Sequence, residues 1–147
     1  MTTSGSAALD DATVAYVLDA RKAFEDLRQV AGQLAGLLVL EAAGAKSGGR
    51  QHTMLAAARE RHGEARESIH RARVTPRARR HHAFLVAAAG AIGTAIKAAN
   101  RGIEIDPVLR PLQNAYAHLQ GASLELPGFE MVAFEHGCCA VPMRSRS

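Results

Sequence analysis

Two adjacent cysteines near the C-terminus are the residues with the most chemical potential. Cys138 and Cys139 follow His136 in the stretch FEHGCCA. Thiolates and an imidazole can hold a soft metal ion or take part in redox reactions. Metal sites usually space their thiols two or more residues apart, and the sequence has no third cysteine. Because free cysteine also packs well in apolar surroundings, we expect segment 129–141 to dock on the protein, with thiol redox or metal sensing as an alternative.

Histidine and glutamine at interior positions form a second candidate site. His62 lies on the apolar stripe of the second predicted helix, and Gln33 and His118 lie at matching heights on the first and fourth. The interior of a helical bundle is where such proteins build ligand and metal sites. We expect His62 either to hydrogen-bond Gln33 or Tyr116 as a structural residue, or to line a small-ligand site with them and His118.

One carboxylate interrupts an apolar stripe. Glu41 follows the apolar run of the first predicted helix, and a buried carboxylate without a partner is unfavourable by several kcal/mol. Lys97 lies at a matching height on the third predicted helix. The sequence therefore predicts a buried ion pair between Glu41 and Lys97.

Positive charge is concentrated in the stretch HRARVTPRARRHH, residues 70–82. We expect this stretch to form the tip of a helical hairpin. Its simplest interpretation is a solvated end, and the alternatives are a site for anions or nucleic acid and a surface for an acidic protein. It contains no aromatic residue on which a base could stack. The arginines concerned are Arg71, Arg73, Arg77, Arg79 and Arg80.

Four predicted helices must position these residues. Asp10 or Asp11 can cap a first helix that ends near residue 45, and a second helix covers 51–74. Thr75 followed by proline is typical of a capping residue and first helical position, so a third helix covers 76–101. Asp106 similarly caps a fourth helix that ends near residue 126. The inward residues predicted for the fourth helix are Leu109, Leu112, Tyr116 and Leu119.

The fold class that follows is all-α. The chain is 48% hydrophobic but has only two Tyr, four Phe and no Trp, a composition that suits closely packed helices better than a sheet. Short connections between long helices predict an antiparallel up-down-up-down four-helix bundle, with a C-terminal extension packed on it. We expect one domain over 1–147, with 1–8 and 142–147 disordered.

Small residues suggest self-association. They are dense over 87–99, and Gly32 and Gly36 lie one turn apart in the apolar half of the first helix. Close approach of two such surfaces predicts a homodimer formed through the first and third helices. The N-terminus resembles no secretory signal, and the apolar stretch 34–45 is too short to span a bilayer. We therefore expect a cytoplasmic protein that does not enter a membrane.

Two bundle families fit the architecture less well than they fit the helix count. Ferritin-like di-iron proteins need two Glu-x-x-His pairs, and this chain has one, at Glu67 and His70. The stretch beginning at His82 loosely resembles the histidine-bearing helix of histidine phosphotransfer domains, but Phe84 and Leu85 replace that family's Lys-Gly. We expect a non-enzymatic protein without a cofactor, which acts through homodimerisation and through protein or small-ligand interaction.

Overall fold

A computed structural model describes residues 8–44 and 48–131, and these residues form helices without a strand. Helix α1 covers Asp11–Ala42, α2 covers Gly48–Arg71, α3 covers Arg79–Arg101 and α4 covers Ile105–Glu125. A short 3-10 turn, Pro76–Ala78, leads into α3. The predicted all-α fold is confirmed.

The starts of α1 and of the 3-10 turn follow the predicted capping chemistry. Asp10 accepts a hydrogen bond from the Thr13 backbone N–H at 3.0 Å. The Thr75 hydroxyl accepts one from the Ala78 N–H at 3.3 Å, and Pro76 stands at the first position of the turn. Each side chain thus satisfies an N–H that has no partner within the helix.

The predicted cap of α4 is wrong. The helix begins at Ile105, so Asp106 lies inside the first turn, and Glu104 at the cap position makes no side-chain capping bond. A carboxylate in the first turn still interacts favourably with the positive end of the helix. Pro107 is tolerated there because the N–H groups of a first turn have no helical acceptor.

The core is formed by the predicted stripes of α1, α2 and α3. Along α1 every stripe residue from Thr13 to Leu38 is buried, and Glu41 alone is exposed. In α4 the stripe was misplaced, since Leu109 is half-buried and Tyr116 is 36% exposed. Small residues take the inward positions because α3 and α4 pack so closely. The buried row of α4 is Val108, Leu112, Ala115, Leu119 and Ala122.

The helices pack as a four-helix bundle. Each helix contacts the next along the chain, α4 returns to contact α1, and α1 also touches α3. Rising positions in α2 meet falling positions in α3, since His62 bonds Ala89 and Ile69 bonds His82. The up-down-up-down order of the whole bundle stays a prediction.

The chain folds back onto the bundle after α4. Leu126 is buried, Gly128 has a φ of 97° that favours glycine, and the buried Phe129 ring packs on Phe24 at 5.2 Å between centroids. Arg28 donates hydrogen bonds to the carbonyl oxygens of residues 130 and 131. Residues 129–131 of the predicted docked tail therefore do lie on α1, and the rest of that segment is outside the described residues.

Candidate functional site

The most enclosed titratable pair of the described chain is His81 with Tyr16. His81 lies in the first turn of α3, and Tyr16 lies in the second turn of α1. The Tyr16 hydroxyl is 2.8 Å from His81 Nδ1, and the rings stand edge to face. Phe129 covers the other side of the imidazole at 4.1 Å between centroids. His81 was predicted to face inward, but its pairing with Tyr16 was missed because it joins positions 65 residues apart.

Burial sets the protonation state of this pair. It lowers the pKa of His81 to about 4, with a smaller contribution from neighbouring His82, and it raises the pKa of Tyr16. His81 Nε2 has no hydrogen-bond partner among the described residues. A neutral imidazole tolerates this better than a charged one. Because both side chains are covered, the pair holds the end of the bundle together and is closed to a substrate.

His62 lies on the buried stripe of α2, as predicted, but its partner is the α3 backbone. Its Nε2 donates to the Ala89 carbonyl oxygen at 2.8 Å, and a Cβ added at Gly93 would come within 3.3 Å of the ring. Burial lowers the pKa of His62. The glycine therefore makes room for an imidazole that ties α2 to α3.

The other members of the predicted His62 site have separate surroundings. The His118 ring faces Phe84 at 6.4 Å between centroids, and Tyr116 lies at the surface. The Gln33 Oε1 atom is buried without a partner among the described residues. No hydrogen bond of the described chain joins His62 to any of the three. The hydrogen bonds expected from His62 to Gln33 or Tyr116 are replaced by the bond to Ala89.

Metal-binding clusters are absent from the described part of the chain, where no three His, Cys, Asp or Glu side chains converge. His136, Cys138 and Cys139 lie outside the described residues. Redox or metal sensing by those thiols stays a prediction.

The predicted buried pair between Glu41 and Lys97 is not found. Both side chains are exposed, and no ion pair of the described residues joins them. The reason is position. Glu41 lies in the last turn of α1, where the helix leaves the core, and Lys97 lies on the outer side of α3.

The buried carboxylate of this bundle is Asp26. It accepts hydrogen bonds from Lys22 at 2.7 Å, within α1, and from Arg61 of α2 at 3.2 Å. The hydrogen bond and the charge of Asp26 raise the pKa of Lys22. The spacing of Lys22 and Asp26 was a readable signal, but nothing in the sequence pairs either with Arg61. The ion pair fastens α1 to α2.

A shallow polar cavity lies beside the C-terminal turn. It is lined by two arginines and two glutamates, together with one glycine, so its charges are balanced. Its lining residues are Arg21, Glu25, Arg28, Gly128 and Glu130. The Arg28 guanidinium is already bonded to backbone carbonyls there, and we assign this cavity to the contact between the C-terminal segment and α1.

The Arg-rich stretch forms one exposed end of the bundle. Two of its arginines have acidic partners: Arg71 is 3.9 Å from Glu67, and Arg80 is 3.3 Å from Glu125. The other three, which are exposed and form no ion pair with the described residues, are Arg73, Arg77 and Arg79.

Acidic residues also reach this end, a feature that sequence reasoning missed. The Thr13 and Thr75 hydroxyls are 2.8 Å apart, which brings the start of α1 beside the arginine-bearing connection. Asp10 and Asp11 therefore lie at the same end as the arginines. The positive field of the tip is weaker than its own composition predicts.

The outer surface of α3 has a different character. Between His82 and Lys97 the helix carries no charged residue. Val86 is 51% exposed on this surface, and a Cβ added at Gly90 would meet nothing within 4 Å. Pro76–Arg101 has the length and mean hydropathy of a membrane span, but 44% of its most apolar window is buried in the bundle, as in an ordinary core helix. The exposed members are Ala83, Val86, Gly90 and Thr94.

The surface of α4 next to α3 is also uncharged. Phe84 of α3 packs so closely on Gly121 that a Cβ there would lie 2.5 Å from the ring. On the outer side of α4, no charged residue occurs between Arg110 and Glu125, and Leu124 is 78% exposed. The exposed members on α4 are Gln113, Asn114, Tyr116, Ala117, Gln120 and Leu124. We call these exposed residues of α3 and α4 the uncharged face.

Comparison with known proteins adds no relative. No protein-family model matches the chain, and neither the curated proteins nor the solved structures yield a match. Function must therefore be argued from the surfaces described above.

Proposed function

We propose that this protein is a non-enzymatic interaction protein that forms a homodimer through the uncharged face. The observation that carries the proposal is the exposed row on α3 from Ala83 to Thr94, which lacks charge and has a half-exposed valine at its centre. A cytoplasmic location is part of the same proposal.

Charge distribution favours a second copy as the occupant of this face. In a two-fold dimer the same patch meets itself, so any charge on the patch faces its own copy nearby. The chain has a net charge of +4, and its Arg-rich end would repel a second such end. A face without charges avoids that repulsion, and burying Val86 and Leu124 would remove apolar area from water.

Small side chains would let two copies of α3 approach closely. Gly90 presents open space outside the bundle, and Ala83 and Thr94 flank it on the same side. Backbones that approach closely gain many van der Waals contacts over a small area. The opening at Gly90 is therefore a natural centre for a helix pair that crosses the two-fold axis.

The arrangement of histidines supports a non-enzymatic role. His62 and His81 are the buried histidines of the described chain, and each is held in a structural hydrogen bond. An acid–base catalyst must instead reach a substrate atom within hydrogen-bond distance. These two imidazoles stabilise helix contacts and leave the surface as the place of function.

The test is sedimentation equilibrium of Val86→Glu beside Leu18→Glu. Both residues are exposed apolar residues, at 51% and 62%, and only Val86 belongs to the uncharged face. We expect the glutamate at 86 to weaken dimerisation by about tenfold to a hundredfold, because two like charges would face each other across the axis. The proposal fails if the two variants dimerise equally well.

A second candidate function is binding of polyanions at the Arg-rich end. The specific observation in its favour is the exposure of Arg73, Arg77 and Arg79 without an acidic partner among the described residues. Three free guanidinium groups can each contact a phosphate. Asp10 and Asp11 oppose them, so the affinity should be modest and strongly dependent on salt.

Titration of a short oligonucleotide at several salt concentrations tests this candidate. Changing the three free arginines to alanine should lower the salt slope by about two to three units if each contacts one phosphate. Substituting Arg59, Arg66 and Arg110, which are exposed outside the tip, gives a charge-matched control. Equal losses in both variants would mean that net charge alone drives the binding.

A further inference from the structure

The C-terminal segment advances along α1 in a measurable way. A Cβ at Gly128 would lie 2.9 Å from Arg21 Nη2 and 3.6 Å from Val17, and Phe129 packs on Phe24. The next two carbonyl groups accept hydrogen bonds from Arg28. The contacts on α1 therefore move toward its C-terminus as the segment proceeds, so the two run parallel.

The spacing of these contacts identifies an extended chain. Phe24 and Arg28 are four residues apart on a helix, or about 6 Å. Residues 129 and 131 are two apart, which spans about 6.6 Å in an extended strand. The agreement shows that the segment follows the axis of α1 instead of crossing it.

The row of α1 beneath this segment continues beyond it. Arg21 and Arg28 begin a row with alternating spacings of four and three residues, and such positions share one side of a helix. The next members are Gly32, Ala35 and Val39. A Cβ at Gly32 would meet nothing within 4 Å, Ala35 is half-buried and Val39 is 67% exposed. The row is charged where the segment is described and becomes small and apolar just past that point.

We propose that residues 132–136 of this chain cover that apolar row, with Phe134 lying over Gly32 and Ala35. The segment reaches Arg28 at Met131, and its next residues, VAF, are apolar. Phe134 is about 10 Å further along an extended chain, which is the level of Ala35 on the helix. Residue 136 reaches the level of Val39, about 16 Å beyond Arg28.

Two consequences follow from this placement. The half of α1 that carries Gly32 and Gly36 is occupied by the chain itself, which leaves the uncharged face on α3 and α4 for a partner. Cys138 and Cys139 come next in the segment and reach the C-terminal end of α1. The segment thus brings the thiols to one defined place on the bundle.

Disulfide trapping tests the placement on the full-length chain. In a background with Cys138→Ser and Cys139→Ser, the pair Val39→Cys and His136→Cys should form an intramolecular disulfide under mild oxidation. The matched control pairs His136→Cys with Leu18→Cys, another exposed position of α1 that lies behind the start of the segment. We expect the Val39 pair to close at least about tenfold faster, because docking raises the local thiol concentration and disulfides need Cα atoms within about 7 Å.

Equal rates for the two pairs, or no monomeric disulfide with Val39→Cys, would overturn the proposal. A further variant, Phe134→Ala, should slow the Val39 pair to the control rate, whereas Phe134→Leu should leave it fast. Only the monomeric product is scored, so the result is independent of the proposed dimer.

Discussion

The sharpest energetic prediction concerns His81, whose burial couples its protonation to folding. The unfolded chain binds a proton on this residue with an ordinary pKa near 6.5, whereas the folded value is about 4. As the pH falls below about 6.5, protons bind the unfolded state first, so the free energy of unfolding falls, and it levels off near pH 4.

The magnitude follows from these two pKa values. Between about pH 7.5 and about pH 4.5, His81 alone should remove about 2.5 kcal/mol from the free energy of unfolding. That is a large share of the stability of a domain of this size. Other groups titrate in the same range, so the contribution must be isolated by substitution.

The assay is urea unfolding of the unmodified chain and His81→Gln at both pH values. The variant should be less stable at neutral pH because Tyr16 loses its partner, and its deficit should shrink by about 2 to 3 kcal/mol at the lower pH. His70→Gln is the control, since His70 is exposed at the end of α2. A deficit of His81→Gln that stays constant with pH would refute the reasoning.

Two further predictions concern contacts between helices, and urea unfolding measures both. Asp26→Asn should lower the free energy of unfolding by about 1 to 3 kcal/mol because Arg61 loses a buried charged partner, and the exposed Asp19→Asn should change it by less than about 0.5 kcal/mol; equal effects would mean that the Asp26 contact does not stabilise the fold. Gly121→Ala should cost about 1 to 3 kcal/mol since its Cβ would overlap the Phe84 ring, whereas Gly63→Ala, with open space around it, should stabilise α2 by up to about 1 kcal/mol. Stabilisation by Gly121→Ala would contradict the close packing of α3 on α4.

Periodicity was enough to predict the bundle because it depends on local signals. The caps at Asp10 and Thr75 and the buried stripes of α1 to α3 all follow from spacing and residue type. The stripe of α4 failed at Tyr116, where a large apolar ring was taken as inward. Close packing against α3 selects Ala115 for the core instead, and that requirement belongs to the partner helix.

Pairs between distant positions were beyond sequence reasoning. A buried carboxylate salted to another helix was expected, but at Glu41, and the structure has it at Asp26 with Arg61. Matching heights along idealised helices cannot tell which side of a helix turns inward near its end. The same limit hid the bond between Tyr16 and His81 and the approach of Asp10 and Asp11 to the arginine end.

The association state of the native chain tests the central claim most directly. Light scattering over graded concentrations should give a mass that rises from 15.6 kDa towards twice that value as the uncharged faces of two copies meet. A mass of 15.6 kDa at every concentration would contradict the homodimer and the function assigned to that face.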